Sequence, residues 1–271
     1  MIRKLILFFT IMIMFNSLNA FSACNDTPTK KVKILLIGDS TTEGGKPVFE
    51  ESIEQLVEGE EGVPLIEVIN FGLGGETAYS LLNSDRYNRQ IKGTDGVDYI
   101  FLRYGINDWF KRQPFEENFP EDMKKVIAHL RLDFPEAQII VMTIIPFLNE
   151  EDSKVVNEAI AKVASDEGLE LFDIYPAYKK GLEEYGQNSM NVRFFPLSEI
   201  PEKYHKLVAP YTKFYSWKNA EYLRVYTSEL DPLFGHLPEW YKDKHPNPTG
   251  YRLIARETVN YILPKLRNDR E

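Results

Sequence analysis

Five short apolar runs recur along the chain, at residues 32–37, 65–70, 99–103, 138–144 and 170–174, and the segments between them carry apolar positions at helical spacing. Near-continuous apolar strands alternating with helical segments mark a parallel sheet covered on both faces, because each crossover lays a helix on the sheet. Helices are predicted over 49–58, 76–91, 120–134 and 152–167, with Asp152 as an N-cap and Gly168 just past the last turn. A final helix over 248–266 opens on Pro248, whose fixed φ suits a first turn. Five strands in this order fit a doubly wound α/β sheet. The alternation breaks over 176–241, where prolines and many Tyr, Phe and Trp occur without a clear period. That stretch reads as an insertion between the fifth strand and the final helix, and its aromatic content argues for packing rather than disorder.

The first residues follow another pattern. Arg3 and Lys4 precede an apolar stretch over 5–15, and small and polar residues lead to Cys24, which is the order of a secretory signal peptide. An apolar stretch of about 11 residues is too short to cross a bilayer, which takes roughly 20. Cys24 is the only cysteine in the chain, so no internal disulfide accounts for it. Phe21-Ser22-Ala23-Cys24 resembles a bacterial lipobox, in which the cysteine becomes the lipid-bearing first residue. The expected organisation is a signal peptide over 1–23, a tether over 24–31 and a folded domain over 32–271, giving an exported periplasmic or cell-envelope lipoprotein. Cleavage after Ala20 or Ala23, with Cys24 left in the tail of a secreted protein, is the alternative.

Composition narrows the function. A chain of 271 residues at 43% hydrophobic can bury a full core. Its formal net charge of -9 argues against nucleic-acid binding, which needs clustered Lys and Arg to displace counterions. The runs Glu58-Gly59-Glu60-Glu61 and Glu150-Glu151-Asp152 read as solvated loop and helix starts rather than metal sites. No Cys and His pattern has zinc-ligand spacing, so neither a metal nor another cofactor is implied.

Candidate chemistry collects at the ends of predicted strands, the edge of an open α/β sheet where ligands bind. Ser40 follows the first strand in Gly38-Asp39-Ser40-Thr41. Gly75 lies in the Asn70 to Thr77 turn after the second, and Asn107 in Gly105-Ile106-Asn107-Asp108 after the third. His245 opens the last helix in His245-Pro246-Asn247. A serine hydroxyl is a poor nucleophile until a base within reach takes its proton, and that base is most often histidine. Rival readings fail on spacing: a dinucleotide loop would require glycine at Thr77, and a phosphate-binding loop would require glycine at Ser40 and a hydroxyl residue at Pro47. His129 falls in a predicted helix and His205 and His236 in the insertion, where structural or surface roles suffice.

The ordered set resembles the blocks of the SGNH hydrolase superfamily, also called GDSL esterases and lipases: Gly-Asp-Ser, then Asn-x-Gly-x-x-Gly-x-Thr, then Gly-x-Asn-Asp, then His-Pro-Asn followed by Gly250-Tyr251. The resemblance covers the chain from Val32 to about Leu266 except the insertion. It implies a three-layer αβα, flavodoxin-like sheet and a serine esterase without a cofactor, acting through an acyl-enzyme. It also implies that Ser40 is the nucleophile and His245 the general base, with an oxyanion hole from the backbone N–H groups of Ser40 and Gly75 and the amide of Asn107. Asp39 and Asp108 would hold the loops. One position departs from the pattern: the acid three residues before the histidine is Lys242 here. Asp243 is the nearest substitute, Glu239 lies further upstream, and a backbone carbonyl could orient the ring instead, giving a Ser-His dyad.

An exported esterase of this kind meets polysaccharides, peptidoglycan and lipids. Trp217, Trp240, Tyr215 and Tyr241 could line a cleft for sugar rings, and Arg103 and Arg193 could meet an acidic sugar. The leading expectation is release of acetyl groups from a carbohydrate. A lysophospholipase or thioesterase is the second reading, and a weakly active or inactive envelope carbohydrate-binding protein on the same scaffold is the third. The partner is an ester substrate, with membrane anchoring only through a lipid on Cys24.

Overall fold

The computed structural model describes residues 31–268. The expected signal peptide and Cys24 lie outside the described residues. Strands β1 (Val32–Gly38), β2 (Ile66–Asn70), β3 (Val97–Arg103), β4 (Gln138–Met142) and β5 (Glu170–Phe172) form a parallel sheet in the order β2-β1-β3-β4-β5. Register aligns Ile34 with Val68 and Tyr99, and Leu36 with Asn70 and Phe101. Successive residues therefore feed opposite faces, as the two-residue strand period requires.

On one face Leu35, Ile37, Ile100, Leu102 and Val141 meet α3 (Ala78–Asn83), α5 (Phe115–Asp133) and α6 (Glu150–Asp166). On the other Ile34, Leu36, Phe101 and Ile140 meet α2 (Val48–Glu58), α7 (Tyr175–Tyr185) and α11 (Pro248–Asn268). Two short helices, α1 (Ser40–Glu43) and α4 (Ile106–Lys111), sit where β1 and β3 end. The connection reverses between these two strands, so the sheet's switch point, where a crevice forms outside the strand ends, lies between Ser40 and Asn107.

Two predicted helices differ. The segment 76–91 is not one helix: Thr77 and Ser80 form a reciprocal capping box at the start of α3, and the chain leaves the helix at Ser84 before a single π-turn over Tyr87–Ile91. The break turns Arg86 inward, where its Nη1 donates to the buried Glu76 carboxylate at 2.7 Å. Helix α5 starts at Phe115, five residues before Pro120. Proline there withholds one N–H from the carbonyl of the exposed Glu116, which water can serve. Asn149, rather than Asp152, caps α6, its Oδ1 accepting from the Asp152 N–H at 2.8 Å.

The aromatic-rich segment holds more order than its sequence suggests. Residues 175–190 form α7 and α8 (Gln187–Met190), and Tyr178 and Met190 are buried in the core beside α11. Beyond them, β6 (Arg193–Pro196), β7 (Thr212–Tyr215) and β8 (Ala220–Val225) form an antiparallel sheet in the order β6-β8-β7, with α9 (His205–Val208) and α10 (Asp231–Phe234) around it. Its own core contains Phe195, Leu223, Val225, Phe234 and Trp240. Trp240 is 0% exposed and donates from Nε1 to Asp231 Oδ1 at 2.8 Å, and the buried Arg193 donates to the same carboxylate from Nε at 2.9 Å. A polar-tipped aromatic and a paired guanidinium are what a small core can bury. Trp240→Ala is therefore expected to cost about 3–5 kcal/mol. Trp217→Ala, which removes a 69% exposed ring, should cost about 1 kcal/mol or less. Chemical denaturation followed by circular dichroism checks both.

Candidate active site

Ser40 is the first residue of α1, directly beyond β1. Asp39 caps that helix, its Oδ1 accepting from the Thr41 N–H at 2.8 Å and the Thr41 hydroxyl at 2.7 Å. Beneath the turn lies Arg103 from the end of β3, 1% exposed, which donates from Nη2 to the Thr41 carbonyl and, at 3.2 Å, to the Thr42 hydroxyl. Burial lowers the Arg103 pKa, and the Asp39 charge works against that shift. Arg103 is thus a buried support for the turn and not a sugar contact.

The Ser40 Oγ lies 2.9 Å from His245 Nε2, across 205 residues of sequence. The other ring nitrogen, Nδ1, lies 2.7 Å from Asp243 Oδ1, and the same oxygen accepts from the His245 backbone N–H at 2.7 Å. A carboxylate can only accept, so it fixes the ring proton on Nδ1 and leaves Nε2 to accept from the serine. The two-residue spacing works because the carboxylate folds back over its own chain and takes both donors at once. Phe147 closes the ring's flank edge-on, centroids 4.8 Å apart. The loop is held from outside: the Val192 N–H donates to the His245 carbonyl at 2.9 Å, and the Asn247 N–H to the Met190 carbonyl at 2.8 Å. Lys242 instead pairs with Glu239 at the surface.

The turn after β2 approaches the serine closely. A Cβ on Gly72 would fall 2.3 Å from the Glu43 backbone nitrogen, so only glycine fits. Gly75 has φ +77°, a conformation that glycine adopts at no steric cost. Among the described residues neither the Ser40 nor the Gly75 N–H has a protein partner, while the Gly74 N–H is taken by Glu43 Oε2 at 2.7 Å. Asn107 donates one amide hydrogen to the Glu76 carbonyl at 3.0 Å and keeps the other for the cleft. Two unpaired N–H groups and a fixed amide beside a serine are the donors that a developing oxyanion requires.

Buried carboxylates lock these turns together. Asp108 Oδ1 accepts from the Ala78 N–H at 2.9 Å and its Oδ2 from the Gly105 N–H at 3.1 Å, tying the turn after β2 to the turn after β3. Glu76 takes Tyr104 Oη at 2.6 Å as well as Arg86, and burial raises its pKa. Burial also pushes the Asp108 carboxyl up to about 7.

A cleft of about 830 Å³ opens over Ser40 and His245, with Gly75, Asn107 and Asp243 in its lining. Tyr215 at the end of β7 and Trp217 in the turn to β8 stand along it, whereas Trp240 is buried and Tyr241 packs beside Arg193, its ring centroid 5.3 Å from the guanidinium carbon. Of the four aromatics singled out in the sequence, two reach the cleft. His129, His205 and His236 lie elsewhere. Sequence reasoning missed Glu43, Lys46, Lys111 and Arg224 in the lining. Glu43 and Lys111 had a signal, being three and four residues after Ser40 and Asn107 on the same helical faces. Arg224 had none, because it depends on the pairing of β8.

Comparison with known proteins shows the family. The chain belongs to the GDSL-like Lipase/Acylhydrolase family, matching it over residues 36–253. It is a hydrolase of that family, an esterase or acylhydrolase, with the family's α/β fold. It is 26% identical over 261 residues to the uncharacterized protein YpmR of Bacillus subtilis, spanning 89% of this chain and 87% of that protein. A possible lipase from Chitinophaga pinensis superposes with a TM-score of 0.55 at 16% identity, over 88% of this chain and 100% of that one. A catalytic mutant of an acetylxylan esterase from Geobacillus stearothermophilus superposes at 0.50 and 15% identity, over 86% and 96%.

The raised pKa of Asp108 sets a pH dependence. Its folded value lies above the unfolded one, so in the interval between them the native state holds more protons than the unfolded state. Its contribution is full below about pH 4 and is lost as the pH rises through about 7. Asp108→Asn should lower stability, because one amide hydrogen now faces a backbone N–H, and should remove this part of the slope. Denaturation midpoints between about pH 4 and 8 test it. An unchanged slope in the variant counts against the assignment.

Proposed function

We propose that the protein is a serine esterase that releases a short acyl group from a carbohydrate ester, with Ser40 as nucleophile, His245 as general base and Asp243 as the acid that orients the ring. The observation that carries this reading is the unbroken relay from Asp243 Oδ1 through the His245 ring to Ser40 Oγ, opening on a cleft walled by aromatic rings. Ser40 Oγ attacks the ester carbonyl while its proton passes to Nε2. The carbonyl oxygen, now negative, meets the N–H groups of Ser40 and Gly75 and the Asn107 amide. As the C–O bond breaks, His245 returns that proton to the departing alkoxide, leaving an acyl group on Ser40. Water then attacks, His245 takes its proton and gives it back to Ser40, and the carboxylic acid leaves.

Tyr215 and Trp217 favour a sugar, whose C–H faces pack on aromatic rings. An acetylxylan esterase carries its own site on the same fold. The carboxylate beside His245 weighs against an inactive binding protein, because it supplies the acid that the position of Lys242 lacks. Export, with a lipid on Cys24, belongs to this reading on the sequence pattern; Cys24→Ser should release the exported protein from the membrane, and persistent membrane association contradicts the anchor.

Kinetics with nitrophenyl esters test the chemistry. Ser40→Ala and His245→Ala should abolish turnover. Asp243→Asn should lower kcat on the order of 10³–10⁴-fold with KM little changed, and Asn107→Ala about 10²–10³-fold. Acetate should be preferred over decanoate; a strong preference for the long chain favours the lysophospholipase or thioesterase reading instead.

A further inference from the structure

Three cations line the cleft of a chain whose formal net charge is -9: Lys46, Lys111 and Arg224. None has a carboxylate within 4.0 Å among the described residues. Lys46 Nζ donates to the Gly72 carbonyl at 3.2 Å and Lys111 Nζ to the Gly75 carbonyl at 2.5 Å, so both ammonium groups are held beside the turn after β2 by neutral acceptors. The Arg224 guanidinium rests over the Tyr226 ring, 5.3 Å from its centroid, and approaches the α1 turn near Gly44. The two acids of the cleft are already engaged, Glu43 with the Gly74 N–H and Asp243 with His245. The local balance is therefore positive by one, three cations against two carboxylates, with none of the cations in an ion pair, and low-dielectric walls focus such a field while salt screens the acidic exterior.

From this we infer that the cleft selects esters whose alcohol portion bears a negative charge, a carboxylate or a phosphate, placed against Lys46, Lys111 and Arg224, with the rings of Tyr215 and Trp217 in the same lining to pack on its apolar faces. The inference rests on the esterase reading above and names its substrate class, an acyl ester of an anionic sugar. The charge sits on the alcohol, so its attraction serves binding of the ester and is released with the product.

The test compares three aryl acetates with one acyl group: 4-acetoxybenzoate, 4-acetoxyphenyl phosphate and the neutral 4-acetoxybenzamide, each kcat/KM divided by the compound's own hydroxide-catalysed rate. Wild-type protein at low salt should prefer at least one anionic ester by about tenfold or more, and the preference should shrink toward unity at about 0.5 M salt. Arg224→Gln and Lys111→Gln should each reduce the anionic-to-neutral ratio by about threefold or more, and Arg224→Lys should retain most of it. Preference for the benzoate alone assigns a carboxylate, and for the phosphate alone a phosphate ester. Turnover of the amide with a ratio of one or below for both anions overturns the inference while leaving the esterase intact. No turnover of any of the three overturns both.

Discussion

A hydroxyl near the start of the domain and an imidazole at its end must be held 2.9 Å apart, and much of the architecture can be read as the means of holding them. Ser40 is fixed from below by β1, by the Asp39 cap and by the buried Arg103. His245 is fixed by Asp243 on its ring, by the backbone of residues 190–192 on its loop, and by α11, which packs into the core beside α2. Hydrogen bonds of this kind are short-range, so a shift of about 1 Å in either element removes the contact. The core behind both elements is close-packed and resists such shifts.

The carboxylates near the site share one arrangement. Asp39, Glu43, Asp108 and Asp243 each accept from at least one backbone N–H of a turn that borders the cleft. Charge-assisted bonds to backbone donors order loops that carry no regular ladder of their own. They also leave the Ser40 and Gly75 N–H groups and the second amide hydrogen of Asn107 without an acceptor among the described residues. The site is thus set before substrate arrives, which is what electrostatic stabilisation of a developing charge demands. With the acids held in this way, the lysines and Arg224 of the cleft have no carboxylate in ion-pair contact among the described residues.

The central sheet was legible because strands buried on both faces write continuous apolar runs, as β1 and β3 do, and the chemistry was legible because its residues sit just past those runs. Helix 76–91 misled because its apolar spacing persists through Ser84, while the buried Glu76 and the inward Arg86 that break it are tertiary facts. Helix α7 was hidden by Pro176 and Gly181, breakers in isolation that here sit in its first turn and against Leu253. The antiparallel sheet was hidden by its composition, since strands that border a cleft on one side alternate weakly. Arg103 and Arg193 show the limit most plainly: a buried guanidinium and a substrate-binding one look alike until burial is known. For Asp243 the spacing alone left a dyad open, and the backbone path after Lys242 was needed to bring its carboxylate to the ring.

The account stands on activation of one serine by one histidine. Tandem mass spectrometry after reaction with a fluorophosphonate reads that directly, because the reagent reports which hydroxyl is nucleophilic. The adduct is expected on the peptide containing Ser40 in the wild-type protein and is expected to be lost in His245→Ala. An adduct on another hydroxyl, or labelling of Ser40 that persists undiminished without His245, would contradict it.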